Sequence, residues 1–367
     1  MSEDIGRYRF TDGKLNLRRF HQARWDEPII FELSQPGQRG ILVPEVETDI
    51  RERAGEHDQA QPWSALPDKA RRKQPPSLPE LSQPQVLRHY VRLSQENLGA
   101  DLNVDVGQGT CTMKYSPKIN EQLARSPKMT DLHPLQDEET VQGILEVMYR
   151  FEQILKEISG MDRFSLQPGA GSAAIYTNVA IIRAYHESRG EAAQRDEIIT
   201  TIFSHPSNAA CAKTAGFKVI TLYPDEDGYP DLEALKAAVS ERTAGLMITN
   251  PEDTGIYNPK IAEFVQIVHD AGGLCAYDQA NANGILGITR AKEAGFDLCH
   301  FNLHKTFSTP HGCGGPGGGV VGATEELTPF LPVPVVSYDG ERYHLDWDRP
   351  ESIGKIGPFY GNAAVVL

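Results

Sequence analysis

From about Phe164 onward, short apolar runs alternate with stretches of helical length, and this order limits the fold more than any other feature of the chain. The strand candidates are Phe164–Gln167, Glu197–Phe203, Phe217–Leu222, Gly245–Thr249, Leu274–Tyr277, Leu298–Asn302 and Gly319–Val321. Helical stretches fall between most of them, around 172–189, 207–215, 231–239 and 259–271. Such alternation predicts an α/β domain on a mostly parallel sheet. Upstream, Val141, Ile144, Leu145, Met148, Phe151, Leu155 and Ile158 share one helical stripe. Acidic residues at 137–139 suit the start of that helix, and Gly160 suits its end. Ligands of parallel sheets bind beyond the carboxyl ends of the strands. Residues that directly follow strands are therefore the candidates for chemistry.

The first 98 residues read differently. Pro62, Pro67, Pro75, Pro76, Pro79 and Pro84 crowd one charged stretch and exclude long helices and central strands there. An extended arm with short helices is expected over 1–98. Its apolar clusters, Ile29-Ile30-Phe31 and Ile41-Leu42-Val43, call for burial. A large domain is expected over 99–335, followed by the opening of a second, smaller one over 336–367. The sequence stops inside the apolar run Ala363–Leu367. The expectation is that the small domain is truncated and that these apolar side chains lack a partner layer.

The net charge of −14 argues against nucleic acid and anionic membrane surfaces as partners. The five cysteines are odd in number, scattered and without a C-x-x-C pair, which disfavours disulfides and a metal site. With an acidic start and no apolar run of membrane-spanning length, a cytoplasmic protein is expected.

Two strand-end residues carry the strongest chemical signal. Asp278 ends the run Leu274–Tyr277, and Lys305 follows the run Leu298–Asn302. Neighbouring strand ends can face one ligand with a carboxylate and an amine. Pyridoxal phosphate (PLP) requires that pair: a carboxylate keeps its ring nitrogen protonated, and a lysine holds its aldehyde as a Schiff base. Between a strand and a helix lies Gln167-Pro168-Gly169-Ala170-Gly171-Ser172. Ala170, Gly171 and Ser172 there would let a phosphate approach the free N–H groups of a helix start. No Gly-Lys-Ser/Thr follows, so it is not a P-loop. His205 could stack on the ring, or stand in a capping turn made by Ser207 and Asn208. Asn250, in Thr249-Asn250-Pro251, could bond the phenolic oxygen, or simply precede a proline turn. The glycine-rich run 311–319 would let the backbone turn tightly beside the cofactor.

With these residues placed, the chain resembles the glycine decarboxylase P-protein family, in the form of subunit 2 of its two-subunit type. The strings that carry the resemblance are Phe31-Glu32-Leu33-Ser34, Cys111-Thr112-Met113-Lys114-Tyr115, Asp131-Leu132-His133-Pro134-Leu135-Gln136, Asn302-Leu303-His304-Lys305-Thr306-Phe307 and Pro310-His311-Gly312. The resemblance implies a PLP-dependent transferase fold of the aspartate aminotransferase type (fold type I). It implies Lys305 and His205 as catalytic residues, with Asp278 also at the cofactor; His304, beside Lys305, is a further cofactor-site candidate. The implied reaction is decarboxylation of glycine, with transfer of the aminomethyl group to the lipoyl arm of an H-protein. The implied partner is subunit 1, in a heterotetramer. The chain departs from the family where it reads Ala170-Gly171-Ser172-Ala173-Ala174-Ile175 instead of Ala-Gly-Ala-His-Gly-Glu, and where Gln279 follows Asp278 in place of glycine. Those departures allow a second reading, a paralogue acting on another small amino acid; a third, a non-catalytic assembly subunit, has the intact Asp278 and Lys305 against it.

Overall fold

The computed structural model describes residues 8–11, 14–17, 27–54, 66–96, 105–108, 111–114, 117–309, 317–357 and 360–367. The chain divides into two compact units, Met1–Gly99 and Ala100–Leu367.

In the first unit, β1 (Tyr8–Thr11) pairs antiparallel with β2 (Lys14–Leu17). A helix over Thr48–Ala54 and another over Gln83–Glu96 follow. The second helix carries Pro84 in its first turn, where no N–H is required. The segment 34–37 is pinned to Glu80: Gln35 N–H donates to the Glu80 carbonyl (2.9 Å) and Gly37 N–H to its carboxylate (2.7 Å). Burial fails for the two apolar clusters. Ile41, Leu42 and Val43 are 70%, 73% and 84% exposed, and Ile29 and Phe31 are also exposed. Hydrophobicity along the sequence gives no partner surface, and the described residues leave these side chains exposed.

The second unit begins with the hairpin of β3 (Asp105–Gln108) and β4 (Cys111–Lys114). Its helix over Gln142–Ser159 ends at Gly160, whose φ of 77° suits a residue without Cβ. Seven strands then form one sheet: β5 (Arg163–Ser165), β6 (Glu197–Thr201), β7 (Lys218–Leu222), β8 (Thr243–Thr249), β9 (Leu274–Asp278), β10 (Leu298–Asn302) and β11 (Gly319–Ala323), in the order β5-β11-β10-β9-β8-β6-β7. Strands β7, β6, β8, β9 and β10 run parallel, and β11 pairs antiparallel with both β10 and β5.

Buried residues along the central strands alternate between two apolar layers, as the pleat requires. Leu246, Cys275, Tyr277, Cys299 and Phe301 enter one layer; Met247, Ala276, Leu298 and Val321 enter the other. The second layer holds the helix Gly171–Ser188 through Ala174, Ile175, Val179, Ile181 and Ile182. Asp278 and His300 share strand parity with Ala276 and Leu298, so both point to that helix's side of the sheet.

The last strands, β12 (Val335–Tyr338) and β13 (Tyr343–Asp346), form a hairpin. Tyr343 N–H donates to the Gln142 side chain at 2.9 Å, and Gln142 Nε2 donates to the Tyr343 carbonyl at 2.7 Å. Residues 336–367 thus belong to the second unit. Val365 and Val366 are buried, while Ala364 and Leu367 of the same run are exposed. Among the described residues, no helix is long and apolar enough to cross a membrane.

Candidate active site

One pocket of about 160 Å³ gathers Ala170, Gly171, Ser172, His205, Asp278, His300, Asn302, His304 and Lys305. Three strands meet there at one edge of the sheet. Asp278 closes β9, Asn302 closes β10, and Gly319 opens the antiparallel β11 opposite Asn302. Gly319 is required by contact: a Cβ there would stand 2.6 Å from the Ala170 carbonyl oxygen. Lys305 lies on the single helical turn Leu303–Thr306 and is 5% exposed. The backbone of β4 lies against that turn.

Asp278 is 3% exposed, and its carboxylate is held by donors from three elements. Oδ2 accepts from Asn208 Nδ2 (2.9 Å) and Thr249 Oγ1 (3.1 Å); Oδ1 accepts from Ala280 N–H (3.0 Å). His300 Nε2 stands 3.1 Å from Oδ1, in contact but not in line for a hydrogen bond. Burial pushes the acid upward. The His300 ring, the Asn208 amide and the Ala280 N–H outweigh it and hold the carboxyl well below its usual range. Asp278 is therefore a buried anion.

His205 is oriented by its own turn. Ser207 N–H donates to Nδ1 (3.2 Å), which leaves the ring proton on Nε2, and His205 N–H donates to Thr249 Oγ1 (3.2 Å). His304 Nδ1 accepts Gly318 N–H at 3.2 Å. The helix Gly171–Ser188 has no side-chain cap. The N–H groups of its first turn, with the positive end of the helix dipole, are suited to a phosphate. Among the described residues, Asn302 Oδ1 and both ring nitrogens of His300 are buried and lack aligned partners. Native interiors rarely leave such atoms unpaired. A polar molecule in the pocket would satisfy them. An amine, a buried anion and an uncapped helix start around one cavity fit PLP.

Asn250 is a correction. It is buried, but it does not line the pocket. Its Oδ1 accepts Asn258 N–H at 2.8 Å, and the Tyr277 hydroxyl donates to its carbonyl at 2.7 Å. The amide organises the loop after β8. Residues 310–316, most of the glycine-rich run, lie outside the described residues. Sequence reasoning missed His300, Asn302, Thr249 and the role of Asn208. The only available signal was that Thr249 and Asn302 end strands. Away from the pocket, His269, Cys275 and Asp297 come together although no metal cluster was expected. The trio is bonded to itself: Asp297 lies 2.8 Å from His269 Nε2 and accepts Cys275 N–H at 2.7 Å.

The sheet with its one reversed strand and the amine–carboxylate pocket define the large domain of a PLP-dependent enzyme of fold type I. Residues 171–332 match the aminotransferase class-V family model. The chain is 54% identical over 350 residues to the probable glycine dehydrogenase (decarboxylating) subunit 2 of Pyrococcus abyssi, covering 95% of this chain and 67% of that protein. The Halalkalibacterium halodurans protein of the same description is 47% identical over 340 residues, covering 93% and 67%. A crystal structure of glycine decarboxylase (P-protein) of the glycine cleavage system, in inhibitor-bound form, superposes with a TM-score of 0.65. It is 22% identical, covering 89% of this chain and 75% of that one. At that identity it speaks for the fold. The chain belongs to the glycine dehydrogenase (decarboxylating) subunit 2 family and is a PLP-dependent enzyme.

Proposed function

We propose that this chain decarboxylates glycine and passes the aminomethyl group to the lipoyl arm of an H-protein, working with a subunit 1 partner in a heterotetramer. The observation that carries the reading is the juxtaposition of buried Lys305 and anionic Asp278 on one pocket beside an uncapped 18-residue helix. The first pair suits a pyridine ring and its aldehyde, and the helix start suits its phosphate.

PLP supplies an electron sink that takes up the electron pair left by departing carbon dioxide. Lys305 would supply the amine that holds it. Asp278 would keep a proton on the ring nitrogen. His205, whose orientation Ser207 sets, would face the ring. Gly171 and Ser172 would receive the phosphate, and His304 braces the turn that carries Lys305. The close relatives are described as acting on glycine, which outweighs the altered residues 172–175 as a guide to substrate.

The test is exchange of labelled bicarbonate into glycine, with H-protein and subunit 1 present. Exchange confined to another small amino acid would favour the paralogue reading, and no exchange with any would favour an assembly role. Light scattering of the mixture should show both subunits in one particle. A stable, active single chain would contradict the assembly.

A further inference from the structure

His300 has no part in the reading above. It occupies the middle of β10, is wholly buried, and lines the pocket. An imidazole in a strand interior is ordinarily satisfied by a neighbour. Here neither ring nitrogen has an aligned partner among the described residues. Leaving such a group unpaired in an apolar layer is costly. Leu298, two residues earlier on the same face, shows what the layer otherwise holds.

The register explains the placement. β9 and β10 run parallel with His300 directly opposite Asp278. That sets Nε2 3.1 Å from Oδ1, which among the described residues has one aligned donor, Ala280 N–H. The other oxygen has two, Asn208 and Thr249. Without His300, Oδ1 would face the interior with a single backbone partner. We propose that His300 is a positioning residue: through Nε2 it holds the Asp278 carboxylate, as an anion and in one orientation, for the ring nitrogen of the cofactor. This rests on the reading of Asp278 as the ring-nitrogen partner, and it assigns His300 no contact with substrate.

The test compares His300→Met with His300→Gln in the full chain. Glutamine can place an amide N–H near the position of Nε2; methionine fills the space without a donor. PLP affinity is read by absorbance titration, and folding by circular dichroism without cofactor. Leaving a buried charged group short of a polar neighbour costs enough to shift affinity roughly ten- to hundredfold. The expected result is a loss of about that size in H300M, with H300Q within about threefold of wild type. In an Asp278→Asn background, H300M should cost less than about twofold more, because the group it acts through is gone.

Wild-type affinity in H300M, equal losses in H300M and H300Q, or an undiminished loss in the Asp278→Asn background would each overturn the proposal. If Asp278→Asn alone leaves affinity and the bound spectrum unchanged, the reading of Asp278 fails, whatever His300 does. Should H300M not fold, the histidine nitrogen spectrum of the wild-type chain decides. A proton on His300 Nε2 whose signal moves in Asp278→Asn supports the proposal; an Nε2 without a proton overturns it.

Discussion

Two regions of the second unit each bury a carboxylate, and they treat its charge in opposite ways. On the pocket floor, Asp278 has three aligned donors and an imidazole beside it, and its acid is held below the usual range. In the loop after β8, Glu252 is equally buried, at 3% exposed. Among the described residues its side chain accepts from the Thr201 hydroxyl. Burial pushes this acid up, against the Thr201 bond, and neighbouring Asp253 adds to the rise. Burial alone therefore does not decide ionisation; the number and kind of donors do. The floor is built to keep a charge, as a cofactor partner must be. The loop instead favours the protonated form.

Substitutions on the floor should have the largest effects. Lys305→Ala removes the amine, and activity should fall by about 10⁴-fold, at the upper end for loss of a group that handles protons and bonds. Borohydride should fix PLP to the wild-type peptide carrying Lys305 and not to this variant. Labelling of another lysine would break the site assignment. Asp278→Asn keeps the size and removes the charge. Activity should drop about 10²–10³-fold, the scale of losing one preorganised electrostatic group. The thermal midpoint should move far less in proportion. Near-normal turnover would erase the contrast between the two carboxylates.

The parts of this site that were legible from sequence are those that local pattern places. Asp278 and Lys305 follow apolar runs, so the strand-end rule finds them. The parts that were not legible depend on pairing between distant strands. His300 reads as an ordinary strand residue until the β9–β10 register sets it opposite Asp278. Asn208 reads as a cap beside Ser207, and it does donate to the His205 carbonyl, but the same amide also reaches Asp278. Asn250 fails in the other direction: its position after a strand suggested the pocket, while a backbone return at Asn258 claims its amide. The sheet itself was readable because alternation and burial agree along it. Residues 41–43 are as apolar as a strand, yet exposed, because nothing local supplies their partner.

The helix start allows a smaller test of the floor. A Cβ on Gly171 would stand 2.5 Å from Asn302 Nδ2. Gly171→Ala should push the Asn302 amide into the pocket, a strain typical of overpacking. PLP affinity should fall by about tenfold, with little change in secondary structure. Equal affinity would mean that Asn302 can move aside and that the close approach at this turn is not needed.

The smallest effect is expected at Glu252, and its sign is what matters. An acid whose folded value is raised keeps its proton longer in the native state than in the unfolded chain. Its contribution to stability is therefore present at low pH and lost as pH rises through the raised value. Asp278 behaves oppositely: its contribution is present above the ordinary carboxylate range and is lost as pH falls. Glu252→Gln replaces the carboxyl with a neutral group of similar shape and removes the titration. The Thr201 hydroxyl keeps a carbonyl-type acceptor, so the contact to Ser204 (2.7 Å) need not break. At about pH 4, wild type and variant should have similar midpoints. As pH rises toward 8, the wild type should lose ground, by on the order of 2–4 °C in midpoint. Thermal unfolding of both proteins across that range measures the difference directly. A wild type that gains on the variant as pH rises would show Glu252 to be an anion, and the two regions would then handle charge alike.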